Sequence, residues 1–141
     1  MIIVDATDLL VGRMAVHVAK QSLLGKEVSV INCDKAVYSG SKDRILASYV
    51  HKYHRGVPAK GPYIHRKSFE IVKRTIRGML PYRKSHGALA FARIKCYNGV
   101  PKAFAGKEAE FVQFSDAHKD KLPKYKYVSV GEISKRLGAN Q

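Results

Sequence analysis

The sequence lacks the features that would assign it to a membrane, to the secretory route or to a metal centre. It contains no run of about 18 apolar residues, so we expect no transmembrane helix and no membrane partner. Its first residues lack the basic stretch of a secretory signal and reach a carboxylate at Asp5. The two cysteines, Cys33 and Cys96, lie in apolar stretches without C-x-x-C neighbours. This placement favours buried thiols in a reducing compartment, and we predict a cytoplasmic protein without a metal site.

Acidic residues are also scarce, and the scarcity is local. The 141 residues include 26 Lys and Arg but only 11 Asp and Glu, which gives a formal net charge of +15. Sixteen of the basic residues lie within residues 41–107, together with only two acidic residues, Asp43 and Glu70. We refer to residues 41–107 as the basic segment. A surface that only has to be soluble intersperses both signs of charge, so this grouping predicts a polyanionic partner.

The shortage of carboxylates in the basic segment argues against an enzyme. A two-metal or paired-carboxylate nuclease needs acidic ligands where the nucleic acid binds. His51 and His54 lie one helical turn apart but have no evident third metal ligand. The first strand-to-helix turn, residues 5–12, has one glycine where a dinucleotide site needs several, and no P-loop motif occurs. The sequence therefore predicts no catalysis, no cofactor and no small-molecule substrate.

The order of apolar runs predicts an α/β fold. Residues 2–4 and 28–33 read as short buried strands. Between them, the apolar side chains of a helix follow a 3.6-residue period at Val11, Met14, Ala15 and Val18, and Asp8 is expected to cap that helix. A strand, a helix and a strand in this spacing form a βαβ unit with parallel strands.

The rest of the chain continues this alternation. Further elements are predicted as helices after Ser41, Ser68 and Ser85, a strand over residues 93–97, and a last strand and helix joined by the capping-box pair Ser129 and Glu132. No internal repeat or linker divides the sequence. We therefore predict one α/β domain over residues 1–141, in which helices flank a small, mostly parallel sheet.

Residues 54–67 contain two glycines and two prolines, which predicts an extended basic loop and not a regular element. Four of the six histidines and five of the eight tyrosines share the basic segment with its Lys and Arg residues. Flat aromatic rings among cationic side chains favour phosphates and unstacked bases. The sequence predicts structured RNA as the partner, and a loop that is mobile until RNA binds.

Basic side chains on this loop and on the elements around it are the predicted RNA contacts. They are Arg44, Lys52, Arg55, Lys60, Arg66, Lys67, Lys73, Arg74, Arg77, Arg83, Lys84 and Lys95. The backbone at Gly56, Gly61 and Gly78 is predicted to let RNA approach closely. Two alternatives from other classes stay open at this point: an RNA-modifying or RNA-processing enzyme, and a basic protein that binds an anionic membrane surface.

Several sequence blocks form a recognisable series. Residues 77–81 read Arg-Gly-Met-Leu-Pro, and residues 93–101 read Arg-Ile-Lys-Cys-Tyr-Asn-Gly-Val-Pro. Upstream, residues 10–15 read Leu-Val-Gly-Arg-Met-Ala, and residues 23–26 read Leu-Leu-Gly-Lys. In this order the blocks resemble the L13 family of large-subunit ribosomal proteins, and residues 127–137 resemble the C-terminal strand and helix of its archaeal type.

The resemblance implies a three-layer α/β/α domain with a parallel sheet and no catalysis. It also implies two kinds of partner, large-subunit ribosomal RNA and neighbouring ribosomal proteins. Taken with the charge, it predicts a structural constituent of the large ribosomal subunit that stabilises folded ribosomal RNA and supports subunit assembly and translation. Residues 102–124 match no block, so the resemblance assigns them no role.

Overall fold

The structure is a computed structural model that describes residues 1–106, 111–124 and 126–139. This part of the chain contains five α-helices and six strands, joined by loops and short 3-10 turns. The helices are α1 (Val11–Leu23), α2 (Lys42–Tyr53), α3 (Ser68–Gly78), α4 (Ser85–Ala92) and α5 (Val130–Arg136). The strands are β1 (Ile2–Asp5), β2 (Val28–Ile31), β3 (Val37–Ser39), β4 (Ile94–Cys96), β5 (Phe111–Val112) and β6 (Tyr127–Ser129). None of these helices is long and apolar enough to cross a bilayer.

The main sheet has the strand order β4-β2-β1-β5, and all of its pairings are parallel. Ile2 pairs with Val28 at the start of β1, and Val28 in turn pairs with Ile94 of β4. Strands β3 and β6 form a separate antiparallel pair. The predicted βαβ unit and the small, mostly parallel sheet are therefore confirmed.

One face of the sheet packs against the helices. Helix α1 buries Val11, Met14, Ala15 and Val18, the positions that its 3.6-residue period predicted. These side chains join Val4 and Val30 of the sheet, Ile76 of α3 and Ile133 of α5 in one hydrophobic cluster. Most of the core therefore lies between the sheet and its helical layer.

The opposite face of the sheet carries a smaller cluster. Ile3 and Ile31 pack there with Phe104, which belongs to a short 3-10 turn at Lys102–Phe104. Tyr97 and Phe111 lie partly buried against them. The sheet thus lies between two covering layers, one helical and one formed by the residues that follow β4, in agreement with the predicted α/β class.

The predicted cap of α1 is wrong. Asp8 adopts a left-handed backbone with φ of +60°, and its carboxylate pairs with Lys119 Nζ at 2.9 Å. Leu10 precedes the helix instead. Leu9 and Leu10 are both buried, so packing of this turn into the core directs Asp8 away from the helix start.

The predicted starts of α3 and α5 have different outcomes. Ser68 is the first residue of α3 and is buried, while Lys67 precedes the helix. Ser129 does cap α5, because its Oγ accepts the backbone N–H of Glu132 at 3.2 Å. The capping-box spacing therefore predicted the start of the last helix correctly.

Candidate nucleic-acid interface

The twelve basic side chains predicted to contact RNA lie on α2, on α3, on the loops that flank α3 and on β4. Ten of them are exposed, while Lys73 and Arg77 are partly buried. In residues 1–106, 111–124 and 126–139, none of the twelve has a carboxylate oxygen within 4.0 Å. Lys42 of the same segment does have one, since its Nζ lies 3.1 Å from Glu132. The twelve positive charges thus have no ion-pair partner in the described chain.

Helix α2 presents its basic side chains to solvent. Along the whole of Lys42–Tyr53 no side chain is fully buried, and Ile45, Leu46, Tyr49 and Val50 are the partly buried ones that pack against the core. Arg44 and Lys52 are exposed, and Lys52 Nζ lies 5.0 Å from the ring centroid of Tyr49. Burial, followed by the neighbouring Tyr38, raises the pKa of Tyr49. The Tyr49 ring is therefore a neutral platform that supports the Lys52 ammonium group.

A groove of about 250 Å³ lies between α2, α3 and the end of the loop that joins them. Lys52 lines it from α2, Arg74 lines it from α3, and His65 lines it from the loop. The carboxylate of Glu70 lies 3.6 Å from His65 Nδ1 but does not line the groove. The groove therefore places two cations on facing elements, an arrangement suited to a phosphate group.

Residues 54–67 form a loop without a helix or a strand, as their glycines and prolines predicted. The loop folds back on itself at an isolated bridge between Val57 and Gly61, where the Gly61 N–H donates to the Val57 carbonyl at 2.9 Å. At its far end, the carbonyl of Arg66 accepts the hydroxyl of Ser134 in α5 at 2.7 Å. The loop is thus fixed to the helical layer where it enters α3.

Two glycines, Gly56 and Gly61, determine the fold of the loop itself. Gly56 and Gly61 have φ values of +81° and +77°, and a Cβ at Gly56 would collide with the carbonyl oxygen of Gly61. Gly78 differs, because a Cβ there would meet nothing within 4 Å in the described chain. The close approach of RNA to these three backbones stays a prediction, and the structure gives Gly56 and Gly61 a separate role in folding the loop.

A second group of basic side chains surrounds Tyr82, in the turn between α3 and α4. The guanidinium groups of Arg77 and Arg83 lie 4.9 Å and 6.0 Å from its ring centroid. Helix α4 packs closely on this turn, since a Cβ at Gly87 would collide with the carbonyl of Pro81. The need for glycine at position 87 comes from this contact between the helix and the turn that directly precedes it.

Lys95 lies apart from the helices and the loop. It is on β4, at the edge of the sheet, in register with Ser29. Its neighbours Ile94 and Cys96 are buried, so the alternation of a strand places Lys95 on the other face of the sheet. The structure therefore does not join Lys95 to the surface formed by α2, the loop and α3.

The carboxyl edge of the sheet, where parallel α/β domains commonly bind ligands, is occupied by the chain's own hydrogen bonds. Asp5 Oδ1 accepts from the backbone N–H of Thr7 at 3.0 Å, from the Thr7 hydroxyl at 2.7 Å and from the Asn32 amide at 2.9 Å. Its Oδ2 accepts from the Gln113 amide at 3.2 Å. Burial by itself would raise the pKa of Asp5, but the hydrogen bonds from Asn32, Thr7 and Gln113 hold it below its usual value. Asp5 therefore ties together the ends of β1, β2 and β5.

Other chemistry-bearing residues are dispersed. Within the described residues, no group of three His, Cys, Asp or Glu side chains is placed to hold a metal ion. Cys33 and Cys96 are both free and buried, as predicted. The pKa of the Cys33 thiol is raised by the adjacent Cys96 and by burial, so the thiol is a poor nucleophile.

Comparisons with known proteins show a family to which the sequence is similar. Residues 1–103 match a family model described as ribosomal protein L13. The chain is 42% identical to the large ribosomal subunit protein uL13 of Methanococcoides burtonii over 139 residues, which cover 99% of each chain. It is 41% identical over 140 residues to the protein of the same name from Methanosarcina barkeri, with 99% of both chains covered. With that of Archaeoglobus fulgidus it shares 40% identity over 137 residues, covering 96% of this chain and 86% of the relative.

Proposed function

Because the chain belongs to the L13 family of ribosomal proteins, we propose that it binds and stabilises folded ribosomal RNA of the large subunit. It acts there as a structural constituent on cytoplasmic ribosomes, and it supports subunit assembly and translation. Its partners are the large-subunit ribosomal RNA and the neighbouring large-subunit proteins.

The observation that carries this proposal is the lack of ion-pair partners around the twelve basic side chains. Within the described chain no carboxylate lies within 4.0 Å of them, although other cations of the protein are paired. A compact protein with a formal net charge of +15 is stabilised when a polyanion neutralises that charge. Folded RNA supplies phosphates at irregular positions, which suits cations spread over a loop, a groove and a turn.

The mechanism is clamping of RNA by a surface that the core holds in place. The βαβ unit and α3 supply a rigid base, and the hydrogen bond from Ser134 to the Arg66 carbonyl fixes the end of the loop to it. The groove between Lys52 and Arg74 receives one phosphate, and the group of Arg77 and Arg83 around Tyr82 receives another part of the backbone. Each neutralised phosphate releases condensed counterions, which favours binding.

The relatives are named as ribosomal proteins and not as enzymes, which supports the prediction of no catalysis. The alternative of an RNA-modifying or RNA-processing enzyme has no specific observation in its favour. The carboxylate at the edge of the sheet, Asp5, is engaged with Asn32, Thr7 and Gln113 and serves the fold.

The test is the salt dependence of binding to a large-subunit ribosomal RNA transcript. If about six to eight phosphates are neutralised, log affinity falls against log salt concentration with a slope between roughly −4 and −7. A shuffled RNA of equal length is the control, and it should bind more weakly at the same salt. A slope near zero would contradict the proposal, as would failure of the tagged protein to sediment with large subunits.

A further inference from the structure

The basic loop lines an open cavity whose aromatic and apolar walls are not accounted for by phosphate binding. Its volume is about 480 Å³, and it is lined by residues 53–58, residues 61–64 and Arg66. This volume falls within the range of about 300–1,000 Å³ that is typical of small-molecule sites. We refer to it as the loop cavity.

Two tyrosine rings, those of Tyr53 and Tyr63, line the loop cavity. Tyr63 is 70% exposed, the largest value among the exposed large hydrophobic side chains of the described chain. Covering the faces of this ring would be favourable, because it would remove apolar surface from water.

Tyr63 is nevertheless held in position. Its hydroxyl donates to the carbonyl of Pro58 at 3.0 Å, and both residues line the cavity. Its ring also lies close over Gly61, where an added Cβ would be 3.1 Å from the ring Cε2. An exposed ring whose orientation is already fixed loses little conformational entropy when a flat ligand stacks on it.

The charges at the loop cavity are of one sign. Arg55 and Arg66 line it, while no Asp or Glu does so. The Arg66 guanidinium lies 5.6 Å from the centroid of the Tyr53 ring, which covers part of that ring with a cation. The other lining residues include His54, with its polar imidazole, and the apolar side chains of Val57, Pro58 and Ile64.

These features call for a ligand that is both flat and anionic. A phosphate ion would leave Tyr63 uncovered, and an apolar side chain of a protein would leave Arg55 and Arg66 without anions. An unpaired nucleotide satisfies both, because its base stacks on aromatic rings and its phosphates pair with arginine.

We infer that the loop cavity receives one unpaired nucleotide of the RNA, with its base stacked on Tyr63 and its flanking phosphates bound by Arg55 and Arg66. The inference rests on the proposed function, since it names the part of the RNA that this site takes. It also gives the loop a preference for a bulge, an internal loop or a junction over a regular duplex.

The experiment is ultraviolet cross-linking of the full chain to a large-subunit ribosomal RNA transcript, followed by mass spectrometry of the cross-linked peptides. We expect a nucleotide adduct on Tyr63 or Tyr53.

Tyr63→Leu should bind about 5- to 100-fold more weakly, the range that loss of one base–aromatic stack produces. Tyr63→Phe, which keeps the ring and loses only the hydroxyl bond, should stay within about threefold of the unmodified protein. The matched control is Tyr127→Leu, at an exposed tyrosine outside the basic segment, and it should have no effect.

The salt slope separates the failure of this inference from the failure of the proposed function. Tyrosine neutralises no phosphate, so Tyr63→Leu should leave the slope unchanged. If the unmodified protein binds with a steep slope, yet Tyr63→Leu binds equally well and no adduct forms in residues 53–66, the nucleotide site is wrong and the proposed function stands. The site would also be wrong if Tyr63 became covered only when another ribosomal protein was added and not when RNA was added. If the unmodified protein shows no salt-dependent RNA binding at all, the proposed function itself fails.

Discussion

Residues 1–40 hold four basic and four acidic side chains, whereas the basic segment holds sixteen basic and two acidic ones. In the first region two of the four carboxylates are used by the fold. Asp5 accepts hydrogen bonds from Thr7, Asn32 and Gln113, and Asp8 pairs with Lys119. In the basic segment the twelve predicted contacts have no carboxylate partner among the described residues.

The two regions also differ in burial. Strand β2 is buried along its whole length, and α1 buries six of its residues. Helix α2, from Lys42 to Tyr53, has no fully buried residue. Since stability comes mainly from buried apolar surface and RNA affinity mainly from exposed charge, changes in the two regions should affect different measurements. The following variants test that separation.

Charge reversal in the loop should give the largest effect. Replacing Arg55, Lys60, Arg66 and Lys67 with Glu changes eight units of charge on exposed side chains. We expect RNA affinity to fall by roughly 100-fold or more at physiological salt, because several phosphate contacts become repulsive. Thermal unfolding of the same variant should stay cooperative, which circular dichroism measures.

A matched pair of double variants makes this test specific to location. Arg55→Glu with Lys60→Glu changes the charge by the same amount as Lys135→Glu with Arg136→Glu on α5, where both side chains are also exposed. The loop pair should weaken RNA binding strongly and the α5 pair weakly. Equal losses would mean that net charge alone governs binding and that the basic segment has no special role.

Local patterns predicted most of the fold because its main elements follow from short-range rules. The period of Val11, Met14 and Val18 identified α1, and the spacing of Ser129 and Glu132 identified the start of α5. The cap at Asp8 failed, since burial of Leu9 and the pairing with Lys119 are tertiary effects that no local pattern encodes. The pairing of β3 with β6 is likewise a tertiary effect that no local pattern encodes, because the two strands are distant in sequence.

The candidate site was predictable in composition but not in geometry. The excess of Lys and Arg in residues 41–107 located the basic surface from counting alone. The bridge between Val57 and Gly61 that shapes the loop cavity depends on backbone folding, and so does the collision that makes Gly56 necessary. Sequence proximity groups Lys95 with the other basic residues, but its strand places it at the edge of the sheet.

Within residues 1–40, removal of the Asp5 carboxylate should lower the free energy of unfolding and leave RNA binding intact at neutral pH. Asp5→Ala leaves the donors of Thr7, Asn32 and Gln113 without their acceptor, which costs about 1–3 kcal/mol of unfolding free energy. Denaturant unfolding measures the loss. A parallel fall in RNA affinity while the variant is folded would break the separation between the two regions.

The pH dependence sharpens this prediction. The pKa of Asp5 is lowered in the folded protein, so the ionised carboxylate stabilises the fold. This contribution is present above the ordinary pKa of 3.8 and is lost as the pH falls through the lower pKa of the folded state. Asp5→Asn should therefore lose less stability than the unmodified protein as the pH falls from above 3.8 through the folded-state pKa of Asp5. Glu27→Gln, at an exposed carboxylate, is the control and should follow the unmodified protein.

The last comparison uses two glycines within ten residues of each other, and it ends on the smallest expected effect. A Cβ at Gly87 would collide with the backbone carbonyl of Pro81, so Gly87→Ala should destabilise the fold by about 1–3 kcal/mol. A Cβ at Gly78 would meet nothing within 4 Å of the described chain, so Gly78→Ala should keep stability or raise it by up to about 1 kcal/mol.

If RNA approaches the Gly78 backbone, the same methyl group should weaken RNA binding several-fold, while folded Gly87→Ala binds as the unmodified protein does. Denaturant unfolding and RNA titration of both variants check this pair. Unchanged RNA affinity of Gly78→Ala would remove position 78 from the interface and leave the loop as the site of close approach.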